Sequence, residues 1–183
     1  MQECSDKELI ARLAEGENPV LNEIMARYKH RLFAFIRRYV GDDDIAYDIV
    51  QETFTKLYFS ASTYKPEYKF SSWLFQIALN LCRDYGRKKK LAQFFYIDAE
   101  ETNFELTDNT PNPESMAGSE QAVKHINRAI EALPHKLKAA LILYALEDNS
   151  QERCAEILNT TVKTVETRVY RARKLLSEKL FTK

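Results

Sequence analysis

The densest chemistry in this chain of 183 residues lies near its C-terminal end. Thr164, Thr167, Arg168 and Arg171 recur at helical spacing and put short hydroxyls and guanidinium groups on one helix face. Those groups suit phosphate oxygens and base edges in a major groove. Val162, Val165, Val169, Ala172 and Leu176 recur on another face and predict a core-facing stripe. Residues 150–176 therefore read as two short helices around a tight turn, a helix-turn-helix for duplex DNA. Asn159 stands in the turn, where glycine is common, and asparagine tolerates the left-handed conformation. The alternative is a helical hairpin for protein contact. Seven basic and two acidic residues over 160–183 favour DNA.

A second constellation precedes it. Tyr64, Lys65, Pro66, Glu67, Tyr68, Lys69 and Phe70 are followed by Trp73 and Phe75. Aromatics interleaved with lysines can stack unpaired bases while cations hold the backbone. The same rings could instead close the hydrophobic end of a helical bundle. Gln76, Asn80, Arg83 and Arg87 then share one helix face, ahead of Lys88, Lys89 and Lys90. Catalytic patterns are missing: there is no phosphate-binding loop, dinucleotide fingerprint, metal-ligand cluster or nucleophile elbow. His30, His125 and His135 stand apart, as surface or partly packed residues. Asp42, Asp43 and Asp44 read as a helix N-cap rather than a cation site, which wants more converging oxygens. Neither an enzyme nor a cofactor is expected.

Helices must position these groups. The four glycines, Gly16, Gly41, Gly86 and Gly118, fall where helical pattern stops or restarts, and no strand-type alternation occurs. Ser5 with Glu8 predicts a capping box. Asn18 and Pro19 restart a helix with Leu21, Ile24, Met25, Tyr28, Leu32, Phe35, Ile36 and Tyr39 inward. The next runs from about 45 to 62 with Ile49, Val50, Phe54, Leu57 and Tyr58 inward. A further helix, capped by Ser71 or Ser72, ends at Gly86 with Leu74, Ile77, Ala78, Leu81 and Tyr85 inward. Helical pattern resumes near Ser119 and breaks at Leu133 and Pro134.

Charge is segregated beneath a net of zero. Residues 83–90 carry five basic groups and one acidic, and residues 98–120 carry seven acidic and none basic. Two cationic blocks thus flank an acidic spacer with Pro111 and Pro113. The expected fold is all-α, two small helical domains at 1–94 and 119–183 joined by an acidic flexible linker at 95–118. Cys4, Cys82 and Cys154 form no ligand pair, and the latter two read as buried thiols. The N-terminal residues lack a signal peptide's apolar core, and no apolar run approaches the length of a membrane span. A reducing cytoplasm and no membrane insertion are expected.

DIVQETFTKLY (48–58), FSSWLFQIALNLCRDYGRKKK (70–90), the acidic linker, the helix opened by Leu133 and Pro134, and TTVKTVETRVYRARKLL (160–176) together resemble an extracytoplasmic-function sigma factor of the sigma-70 family. The likeness spans nearly the whole chain in the family's order. It implies a transcription initiation subunit that binds core RNA polymerase at clamp and flap, and promoter DNA both as duplex and as single strand. It places Asp48, Gln51, Glu52 and Lys56 on the polymerase. Tyr64, Lys65, Tyr68, Phe70, Trp73, Phe75, Ile77, Asn80, Arg83, Arg87 and Lys88 fall on the melted −10 strand. Lys163, Thr164, Glu166, Thr167, Arg168, Tyr170 and Arg171 fall on the −35 duplex. It further implies an anti-sigma partner. Glu166 departs from the basic or small residue common there. It either points away, paired with a basic neighbour, or accepts from a cytosine amino group. The rival is a stand-alone helix-turn-helix regulator whose bundle senses a ligand or dimerises; no long heptad seam supports it.

Overall fold

The structure, a computed structural model, describes residues 4–99, 118–147 and 149–181. Ser5 opens α1 (Asp6–Ala14): its hydroxyl accepts from the Glu8 amide at 3.3 Å, and its own amide donates to Glu8 Oε2 at 2.7 Å. Pro19 leads into α2 (Val20–Val40), which buries Val20, Ile24, Tyr28, Leu32, Phe35, Ile36 and Tyr39 in one stripe. Leu21 and Met25 pack at its margin. Gly41 closes the helix at φ 79°, a left-handed turn that favours glycine. The Asp42 carboxylate then accepts from the Ile45 amide at 3.0 Å, so it caps α3 (Asp43–Ser60).

α3 turns Ala46, Ile49, Val50, Thr53, Phe54 and Leu57 inward. Thr53 is buried without penalty because its hydroxyl donates to the Ile49 carbonyl at 2.7 Å. Tyr58 departs from the expected inward stripe. It is 39% exposed, and its hydroxyl donates to Asn18 Oδ1 at 3.0 Å. A short 3-10 turn (Ala61–Thr63) leads through the aromatic loop to α4 (Phe70–Ala99).

α4 corrects the expected end at Gly86. The helix continues through that glycine for another turn after turn, to Ala99. Nothing lies within 4 Å of where a Gly86 Cβ would stand. Arg87, Lys88, Lys89, Lys90 and Leu91 are good helix formers, and together they outweigh the single glycine's cost of about 1 kcal/mol. Residues 95–99, expected in the linker, are helical; the linker's centre lies outside the described residues.

The C-terminal part is α5 (Gly118–Glu131), α6 (His135–Leu141), a π turn (Ile142–Leu146), α7 (Gln151–Ile157) and α8 (Val162–Phe181). Buried Asn149 supports the π turn by donating Nδ2 to the Leu143 carbonyl at 2.9 Å. Ala139, Ala140, Ile142, Leu143, Cys154, Ile157, Val165, Val169 and Ala172 make its core. That core is continuous with the one formed by α1 to α4. Phe35 and Phe75, with ring centroids 5.4 Å apart, sit at its centre, each stabilising the fold by roughly 2–3 kcal/mol through burial. Among the described residues no helix is long and apolar enough to cross a membrane.

Candidate nucleic-acid interface

The helix-turn-helix is set by local bonds. Ser150 caps α7 through the Arg153 amide at 3.2 Å. Asn159 takes the turn at φ 46°, the left-handed position expected of it. The Thr161 hydroxyl accepts from the Thr164 amide at 3.2 Å and starts α8. Val165, Val169 and Ala172 are buried, with Val162 and Leu176 at their edge.

The outward stripe differs in phase from the one expected. Lys163, Glu166, Thr167, Tyr170 and Arg171 are exposed and recur at three- and four-residue spacing, so they form the outermost face. Thr164 and Arg168 are half-buried at its flank. Thr167 donates its hydroxyl to the Lys163 carbonyl at 2.9 Å, which leaves its oxygen free to accept. Tyr170 is 70% exposed. Glu166 forms no ion pair among the described residues and lies on the outer face beside Thr167. Of the two alternatives left by the sequence, local pairing finds no partner here.

The aromatic loop is a cluster of edge-on and tilted rings supported from below. Tyr64 donates its hydroxyl to the Tyr68 carbonyl at 2.5 Å, and its ring lies 5.2 Å from that of Trp73. Phe70 packs edge-on against Tyr28 at 5.5 Å. Phe70 and Phe75 are 3% and 2% exposed, which corrects their expected place among strand-facing groups. In this arrangement they are core residues that hold the loop up, and neither ring can meet a base. Lys65 and Tyr68 are exposed; Trp73 and Ile77 are half-buried. Asn80 accepts from Arg83 Nη1 at 3.1 Å, and Arg87 pairs with Asp84 at 2.5 Å, so this exposed face is already ordered. Lys88 extends it into solvent.

On α3, Asp48, Gln51, Glu52 and Lys56 are all exposed, and Lys56 stands 3.5 Å from Glu52. Asp48, Glu52 and Lys56 border a groove of about 410 Å³ whose other wall is Asp84, Tyr85, Arg87 and Lys88. The structure thus brings the α3 set against the basic end of α4, which sequence spacing did not show.

The aromatic-loop region and α7 also meet. Glu156 on α7 accepts from the Ser72 hydroxyl at 2.9 Å, and its backbone carbonyl accepts from Gln76 Nε2 at 2.7 Å. Lys69 lies 3.8 Å from the same carboxylate. A groove of about 610 Å³ runs along this seam past Lys65, Tyr68, Trp73, Asn159 and Thr160. Sequence reading missed Ser72 as a polar contact because serine before a helical run looks like a cap. On the other side of the seam Arg38 pairs with Glu147 and donates to the Leu146 carbonyl at 3.0 Å. The Tyr39 hydroxyl meets His135 Nδ1, and Lys138 donates to the Tyr39 carbonyl at 3.1 Å.

Burial pushes the Cys82 thiol up to about 12 and the Cys154 thiol up to about 11, so both stay protonated at neutral pH. No group of three or more His, Cys, Asp or Glu is placed to hold a metal among the described residues.

Comparison with known proteins matches residues 24–91 to the family Sigma-70 region 2 and residues 124–176 to Sigma-70, region 4. The ECF RNA polymerase sigma-E factor of Escherichia coli (strain K12) is 32% identical over 98% of this chain and 96% of its own. The chain belongs to the extracytoplasmic-function sigma factors. The sigma-E factor of Haemophilus influenzae gives the same identity over 98% of this sigma factor and 97% of its own length. Among solved structures, CnrH in complex with the cytosolic domain of CnrY superposes with a TM-score of 0.68 at 24% identity. That match covers 94% of each chain. The sigma factor RpoE in complex with the anti-sigma factor NepR from Bartonella quintana gives 0.62 at 24%, over 88% of this sigma factor and 96% of that chain. Both share the fold of this sigma factor.

Proposed function

We propose that this chain directs core RNA polymerase to specific promoters, with residues 1–94 and 119–183 as two grips on either side of an acidic linker. α8 enters the −35 major groove, and Lys163, Glu166, Thr167, Tyr170 and Arg171 face the bases and phosphates. Thr164 and Arg168 flank the contact at the phosphates. Exposed Lys65 and Tyr68, with Trp73 and Ile77 behind them, capture a base of the melted −10 strand. Asn80, Arg83, Arg87 and Lys88 track its backbone. Asp48, Gln51, Glu52 and Lys56 dock on the polymerase clamp. Unstacking a base costs a few kcal/mol, and an aromatic pocket offsets it, so melting is differential binding and needs no bond chemistry in this subunit.

The near full-length likeness to sigma-E factors carries this reading. It is supported by the outward stripe on α8, which is polar and cationic where a groove-reading helix must be. Two solved relatives were captured with partner proteins, one named an anti-sigma factor, and a partner of that class fits this chain. The deciding experiment is in vitro transcription with purified core polymerase and a genomic promoter library. Promoter-specific transcripts are expected. Absence of core binding, together with binding of a palindromic duplex by a dimer, would instead establish a stand-alone regulator.

A further inference from the structure

Asp6 opens α1, outside both DNA-facing sets, yet its carboxylate begins a chain of contacts that ends at the aromatic loop. The Tyr28 hydroxyl on α2 donates to Asp6 Oδ2, and Arg27 Nη1 donates to Oδ1 at 3.2 Å. The Tyr28 ring is 6% exposed and meets Phe70 edge-on. Phe70 in turn packs against Tyr64, with centroids 5.9 Å apart, and against Trp73 at 6.3 Å. Burial, then the bond to Asp6, push the Tyr28 hydroxyl's pKa up, so it stays a donor. Burial, then the Asp6 charge, push up that of Tyr64, so one carboxylate acts on both tyrosines. α1 is itself pinned, by the Ser5 and Glu8 capping box and by burial of Leu9, Ile10 and Leu13. A buried hydroxyl left without its acceptor is costly, so the Tyr28 ring would shift to recover one. Edge-on contacts depend on ring orientation, so that shift would pass to Phe70 and beyond.

We propose that Asp6 is a positioning residue for strand capture: by fixing the Tyr28 hydroxyl it sets the tilt of Phe70, and through Phe70 the spacing of Tyr64 and Trp73 that receives an unpaired base. The proposal rests on the −10 strand reading above. Asp6 touches no DNA and acts only on the shape of the receiving site. Its loss therefore falls on preference for the captured base. The general attraction of the strand to Lys65, Arg83 and Lys88 is left in place.

The test uses the holoenzyme and a labelled non-template strand from a promoter on which it initiates, intact and with single abasic sites across the −10 element. The parent should bind the intact strand about tenfold more tightly than the strand lacking the captured base, the scale of one base stacked on an aromatic. Asp6→Ala should cut that preference to about twofold or less. Asp6→Asn keeps an oxygen acceptor for Tyr28 and should restore it. Tyr28→Phe should behave like Asp6→Ala, and combining the two should add nothing, as for residues acting through one contact. A general loss of fold would weaken intact and abasic strands alike and leave their ratio untouched. In the free full-length chain Trp73 is the only tryptophan, and Asp6→Ala should raise its acrylamide quenching about twofold. If Asp6→Ala fails to fold, Tyr28→Phe, which keeps the ring, carries the test. A parental preference that survives these substitutions overturns the proposal, whatever the quenching. If the parent itself shows no preference for the intact strand, the −10 reading fails and the capture role with it; quenching then still decides whether Asp6 sets the loop.

Discussion

Glu166 stands among Lys163, Thr167, Tyr170 and Arg171 on a face that otherwise suits an anionic groove. A carboxylate there accepts from a cytosine amino group or repels phosphate. Glu166→Ala should therefore relax base preference at one position of the −35 element, by about tenfold, measured as initiation across a single-position promoter set. Arg171→Ala should weaken duplex-dependent initiation about tenfold, and templates lacking the −35 element should not feel it. At the seam, burial and then the like charges of Arg83, Lys138, Lys136 and Arg168 push His135 down to about 4. The neutral ring accepts from the Tyr39 hydroxyl; a protonated ring cannot. Since the unfolded imidazole titrates near 6.5, the unfolded state binds more protons between the two values. Stability is then full above 6.5 and falls as pH drops toward 4. His135 is only half-buried and solvent screens part of the shift, so urea unfolding at pH 5 should show about 1 kcal/mol less stability than at pH 7, and His135→Gln should flatten that slope. Some residues were legible because their causes are local. Ser5 and Glu8, Asp42 and Asn159 each act through bonds within a few positions. Phe70 and Phe75 were not, because an aromatic in an aromatic-rich run looks the same in sequence whether it faces a base or packs on Tyr28, as Phe70 does, or on Phe35, as Phe75 does.

α4 shows how an element overrides its punctuation. Gly86 marks a stop by local pattern, yet the run that follows it propagates the helix, and space is open at its Cβ position. Gly86→Ala should accordingly stabilise the chain by roughly 0.5–1 kcal/mol, seen as a rise of a few degrees in Tm. Asn159→Ala should do the reverse. Its φ of 46° costs alanine about 1 kcal/mol, and a lowered melting temperature with weaker duplex binding would report it. Helix identity was legible along most of the chain because apolar spacing repeats over many turns. The phase of α8 was less so. Hydroxyls at 164 and 167 and arginines at 168 and 171 outline a face whose centre only packing against α6 and α7 fixes.

Across the whole chain, the segregated charge and the order of the two grips were visible in the sequence, but their contact was not. Glu156 with Ser72, and Arg38 with Glu147, join residues 84 and 109 positions apart, and no local pattern encodes such pairings. Because one hydrophobic core runs through both parts, the free chain should unfold in a single step. Trp73 fluorescence and far-UV circular dichroism should trace coincident curves, and two separated transitions would contradict this. The unbroken run of α4 from the aromatic loop to Ala99 has a further effect. A helix fixes azimuth as well as length, so the bearing on which the chain departs at Ala99 is geared to the orientation of Trp73. One residue inserted between Lys90 and Leu91 would swing that bearing by about 100° while advancing it only about 1.5 Å. Inserting a full turn's worth would restore it, so tolerance to insertions there should rise and fall with a helical period.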